Sequence, residues 1–75
     1  VYSLDQLADK KSARIVRLLD DDVRGRLIEM GCVPGTFITK EFSAPLGDPL
    51  AFSINGYMLS MSKALARTIA IEAEK

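Results

Sequence analysis

The chain has 75 residues, ten basic and ten acidic, and 48% of them are hydrophobic. That suffices for one domain, residues 1–75, and is too apolar for a disordered segment. A net charge of zero leaves no field to release counterions from nucleic acid and no polybasic patch for an anionic membrane, so neither is an expected partner.

Ser3-Leu4-Asp5-Gln6-Leu7 reads as a short capped helix, with the Ser3 hydroxyl accepting a backbone hydrogen bond. Asp9-Lys10-Lys11-Ser12 is a polar turn. Ala13 to Leu19 reads as a strand whose Ile15, Val16, Leu18 and Leu19 occupy both faces, so cover on both sides is expected near one end. One of Asp20, Asp21 and Asp22 caps the next helix, and the others favour the positive end of its dipole. Val23, Leu27 and Met30 recur at i, i+4 and i+7, which is one helical stripe. Gly31 falls where a left-handed residue ends a helix, and Pro34 prevents continuation.

Thr36 to Phe42 reads as a strand with Ile38 and Phe42 on one face. Ala44-Pro45-Leu46-Gly47-Asp48-Pro49 is a proline-stiffened loop. Asn55-Gly56 is the strongest short hairpin signal, a two-residue turn with positive φ twice. Folding there pairs Ile54 with Tyr57, Phe52 with Leu59 and Leu50 with Met61, all on one face. Ala51, Ser53, Met58, Ser60 and Ser62 take the other. Lys63 to Arg67 gives about one helical turn. Ile69 and Ile71 mark a last strand, and Glu74-Lys75 is expected to fray. Strands this short bury one face best by curling into a small barrel, with helix 22–30 plugging one end.

Little here suggests catalysis. The chain contains no histidine, so the usual triad and the imidazole metal ligand are missing. Cys32 lacks a partner base and reads as a small packed residue. The three aspartates are adjacent, not spaced as in a cation loop, and read as a helix start. Met30 and Met61 fall on core faces. Met58 falls on the opposite face, where it is either packed or an adaptable contact. No enzyme activity, cofactor or metal site is expected, and uptake of a divalent transition metal should stay below about one equivalent at micromolar levels. No apolar run nears the roughly 18–20 residues that cross a bilayer, so no direct membrane insertion is expected. The start resembles no secretory signal, and a lone cysteine without a disulfide suits the cytoplasm.

The loop from Ala44 to Pro49 carries the candidate site: Ala44, Pro45, Leu46, Gly47 and Asp48, with Met58. Two prolines lower the entropy lost on binding. Leu46 either folds back over the barrel end or stands out as a partner anchor. In the second case Gly47 allows close approach and Asp48 can pair with a basic partner residue. An exposed apolar groove would also permit weak homo-oligomers.

Several of these residues, in this order, resemble one family. Arg26-Leu27 with Met30-Gly31, then Pro34-Gly35-Thr36, then Ala44-Pro45-Leu46-Gly47-Asp48-Pro49, then Gly56 and Leu59, is similar to FeoA, small cytosolic proteins of bacterial ferrous iron uptake. The resemblance runs from about Ser3 to Glu72. It departs at Ser62, where a basic residue is usual, and at Ala64 and Leu65, where acidic character is. It implies a mainly β fold, a small SH3-like β-barrel of about five strands with one or two short helices. It also implies an accessory or regulatory role exercised by docking to the cytosolic part of the membrane transporter FeoB, which would recruit the protein to the inner face of the membrane. The alternative is a metal-responsive regulatory domain related to the C-terminal domain of DtxR-type repressors, although no DNA-reading helix is evident.

Overall fold

A computed structural model of the chain describes residues 2–73. The fraying expected of Glu74 and Lys75 lies outside that range. The elements are β1 (Tyr2–Ser3), a 3-10 turn (Leu4–Gln6), β2 (Ser12–Leu18), α1 (Asp21–Glu29), β3 (Phe37–Ser43), β4 (Leu50–Ile54), β5 (Tyr57–Met61), α2 (Lys63–Ala66) and β6 (Ile69–Ala73). Six strands form one sheet in the order β1-β6-β2-β3-β4-β5, and every pairing is antiparallel. The strand beyond the expected five is the two-residue β1, which pairs Tyr2 with Ile71 and Ser3 with Ala70.

The sheet curls around a single core of Leu4, Leu7, Ile15, Leu18, Leu27, Cys32, Ile38, Leu50, Phe52, Ile54, Met61, Ile69 and Ile71, with Ala13 and Ala66 packed among them. No ladder joins β1 to β5 among the described residues, so the barrel has a seam. The 3-10 turn and α2 pack against each other there. Leu4 and Ala66 are fully buried beneath them, and Arg67 reaches Asp5 at 3.8 Å. This is an SH3-like barrel, closed partly by hydrogen bonds and partly by two short helical pieces.

Local chemistry sets the boundaries. The Asp20 carboxylate accepts from the Asp22 N–H at 2.9 Å and caps α1. Asp21 pairs with Arg24 one turn on. At the other end, Cys32 N–H reaches Leu27 O at 2.9 Å and Gly31 N–H reaches Ile28 O at 3.0 Å. These two bonds form a Schellman motif, with Gly31 at φ +93° and the buried pair Cys32 and Leu27 beneath. The 3-10 turn begins at Ser3 as expected, with Gln6 as its capping-box partner. The Ser3 N–H donates to Gln6 Oε1 at 3.1 Å, while the Ser3 hydroxyl goes to the Asp5 carboxylate.

The hairpin has the expected register, with Leu50 opposite Met61, Phe52 opposite Leu59 and Ile54 opposite Tyr57. Its turn has Asn55 at φ 51° and Gly56 at φ 84°. The face they share is not buried along its whole length. Leu59 is half-buried and Tyr57 exposed, because β5 is an edge strand. Ala51, on the other face, is buried.

Two bulges change the faces of β2 and β3. Between Ile15 and Arg17 the register shifts at Val16. Ile15 and Leu18 therefore both point inward and Leu19 stays exposed, so two-sided cover is not needed. Between Lys40 and Phe42 the register shifts at Glu41. Lys40 turns inward at 8% exposure, and Phe42 turns outward at 54%. The expected shared face of Ile38 and Phe42 is thus broken by the extra residue. Lys40 reaches the rim, where its ammonium meets the Asp9 carboxylate at 3.1 Å.

Candidate functional site

The segment from Ala44 to Pro49 links β3 to β4 and is fastened at its root and its side. Ala44 N–H donates to Pro49 O at 2.9 Å, and Gly47 N–H donates to Ala44 O at 2.7 Å. Pro45 takes the second position of that turn, where its fixed φ fits. Pro45 and Leu46 form the tip. Leu46 is 96% exposed, so it stands out and does not fold back over the barrel end.

Asp48 ties the loop to α2. Its carboxylate accepts from the Lys63 N–H at 2.9 Å, while the Ser62 hydroxyl accepts from Leu65 N–H at 3.1 Å. Two of the free donors at the start of α2 are thereby satisfied. The Asp48–Pro49 bond is cis. Lys63 places its ammonium 3.9 Å from where a Cβ on Gly47 would stand. Lys63 has no ion pair among the described residues. The loop therefore presents an isolated apolar side chain with a cation at its base.

Met58 lies elsewhere. It is 55% exposed and sits opposite Ser53, whereas the loop adjoins the Leu50–Met61 end of the hairpin. Three residues of strand, about 10 Å, separate the two. Met58 shares the outer face of the sheet with Ala51, Ser60 and Phe42, and Phe42 is paired beside Ala51. Sequence reading missed Phe42 as a surface residue, since only the bulge at Glu41 reveals it.

The remaining chemistry is structural. Cys32 is fully buried, and burial pushes its thiol above the ordinary range, away from thiolate reactivity. Among the described residues no three His, Cys, Asp or Glu gather as metal ligands. Met61 is buried and Met30 packs against the core. An open cleft of about 440 Å³ lies between Tyr2, Leu7, Lys11 and Ser12. The Ser12 hydroxyl there is bonded to Thr39 at 2.7 Å, and no nucleophile–base pair lines it. Among the described residues no helix is long and apolar enough to cross a membrane.

Residues 2–73 match the FeoA domain. Among solved structures, a FeoA-like protein from Clostridium acetobutylicum is 34% identical, with a TM-score of 0.90 over 96% of this chain and 85% of that one. The FeoA of Stenotrophomonas maltophilia, described as an SH3 domain protein and complexed with zinc, is 22% identical, with a TM-score of 0.84 over 96% of this chain and 91% of that one. The IdeR of T. acidophilum is 23% identical, with a TM-score of 0.81 over 96% of this chain and 33% of that one. That last likeness, like the second, is one of fold. Among curated proteins none matches the chain in sequence. A match across nearly the whole length, with the same barrel in a relative more than 30% identical, settles the family: the chain belongs to FeoA, accessory proteins of ferrous iron transport.

Proposed function

We propose that the protein serves ferrous iron uptake by docking, through the tip of its 44–49 loop, onto the cytosolic part of a FeoB-type transporter. The observation that carries this reading is Leu46, 96% exposed on a loop that is hydrogen-bonded at its root and to α2. A leucine held in water gains about 1.5–3 kcal/mol when a partner pocket covers it. The fastened backbone reduces the ordering that binding would otherwise require. Lys63, beside Gly47, adds a cation that suits an acidic residue at the pocket rim. Met58, on the outer sheet face, is a second contact in this reading only if the partner reaches some 10 Å along the hairpin.

The test is titration of the protein against the cytosolic part of FeoB, with and without guanine nucleotide. Leu46→Ala should weaken binding about tenfold or more, equivalent to at least roughly 1.4 kcal/mol, while the melting temperature stays put. Unchanged affinity in Leu46→Ala removes the loop as the anchor.

A further inference from the structure

We propose that the β5 edge is a self-docking surface, through which two copies of this chain join their sheets across a twofold axis. This inference does not depend on the role given to the 44–49 loop. In a two-residue hairpin the residues flanking the turn exchange both backbone hydrogen bonds. Ile54 and Tyr57 are that pair, so Tyr57, Leu59 and Met61 turn their amides toward β4. Met58 and Ser60 turn theirs away. Among the described residues no backbone partner outside the sheet meets either one, and no second strand neighbours β5.

Edge strands are usually blunted by charge, proline or a bulge. β5, Tyr-Met-Leu-Ser-Met, has none of these. The occupant follows from charge and register. A twofold axis sets the strand against a reversed copy of itself, so a charge at or beside the axis would meet a like charge, and β5 carries none. Centred on Leu59, the axis places Met58 opposite the partner's Ser60, and Tyr57 opposite the partner's Met61. Lys63 then faces the partner's Asn55, and no like charges meet. The two Met58–Ser60 pairs supply four backbone hydrogen bonds. Leu59, now half-buried, lies against the partner's Leu59 at about 4.5–5.5 Å between Cβ atoms.

The other end of the sheet argues for closure at two copies. There the edge is β1, only two residues long, and it already covers β6. A head-to-tail array would need a long free edge at both ends. The interface is small, below the roughly 1,200 Å² of stable complexes, so the dimer is weak and concentration-dependent.

Sedimentation equilibrium from about 10 µM to about 1 mM, the range expected of so small an interface, should show the mass rise toward that of a dimer. Over the same range amide exchange at Met58 and Ser60 should slow by about tenfold or more, with Tyr57, Leu59 and Met61 unchanged. Ser60→Pro removes an outward N–H and no bond to β4. It should stay monomeric throughout, as should the double variant Met58→Lys/Ser60→Lys if the proline disturbs folding. A monomer at millimolar concentration overturns the proposal. So does a dimer that forms equally in the folded variants, or exchange that slows elsewhere but not at Met58 and Ser60.

Discussion

The Tyr57 hydroxyl donates a hydrogen bond to the carbonyl oxygen of Met30. It thereby joins the first residue of β5 to the C-terminal end of α1. Carbonyls at a helix end lack intrahelical donors, and here the hairpin supplies one. The same contact explains why Gly31 has no side chain. A Cβ there would stand 2.6 Å from the Tyr57 oxygen and 3.3 Å from Asn55 Nδ2. Tyr57→Phe should cost about 0.5–1.5 kcal/mol, read by thermal melting as about 4–8 °C per kcal/mol for a domain of this size.

Gly31→Ala meets both obstacles, a φ of +93° and the tyrosine oxygen. The backbone penalty alone is about 1–2 kcal/mol. Removing the hydroxyl relieves part of the crowding. The double variant Gly31→Ala/Tyr57→Phe should therefore be less destabilised than the sum of the two by more than about 0.5 kcal/mol. Strict additivity in denaturant titrations would mean that the two positions do not touch.

Asp48 has a structural use that Leu46 lacks, because its carboxylate caps α2. Asp48→Ala should lower stability by about 0.5–2 kcal/mol, the usual loss of a helix cap. Leu46→Ala should stay within about 0.5 kcal/mol of the parent. Chemical denaturation of both variants separates fastening from docking. If the Asp48 variant binds FeoB weakly only in proportion to its loss of folding, Asp48 fastens the loop and makes no contact of its own.

Glu41, the bulge residue, accepts hydrogen bonds from Ser53 at 2.7 Å and from Lys10 at 3.0 Å. The Ser53 hydroxyl first, and Lys10 second, hold its carboxyl below the ordinary glutamate value of 4.5. A pKa lowered by folding favours the folded state above the unfolded value, and the benefit fades as pH falls through the folded one. The melting temperature should decline as pH drops below about 4.5, and Glu41→Gln should flatten that decline. An equal decline in the variant would assign the acid sensitivity to other carboxylates.

The hairpin was legible because two independent signals agreed. Asn55-Gly56 fixed the turn, and the alternation of Leu50, Phe52 and Ile54 fixed the register. The helix was legible from its ends, Asp20 and Gly31. The 44–49 loop could be located from its prolines, but whether Leu46 points in or out depends on how Asp48 reaches α2, which is a tertiary contact. The bulges at Val16 and Glu41 were not legible. A bulge adds one residue without changing composition, and it reverses every side chain beyond it. Two-residue β1 was hidden for a different reason, since so short a strand exists only because β6 offers it an edge.

Phe42 and Phe52 turn that lesson into a measurement. Periodicity along residues 36–42 puts Phe42 in the core beside Ile38, whereas the structure leaves it 54% exposed and buries Phe52 completely. Phe52→Ala should cost about 3–5 kcal/mol through the cavity it leaves. Phe42→Ala removes no enclosed volume and should cost less than about 1 kcal/mol, in the range of surface substitutions and a cross-strand pair. The bulge at Glu41 is the whole cause of the difference, because without it both rings would face the same interior. Equal losses on urea denaturation would place Phe42 inside and return β3 to an unbroken ladder.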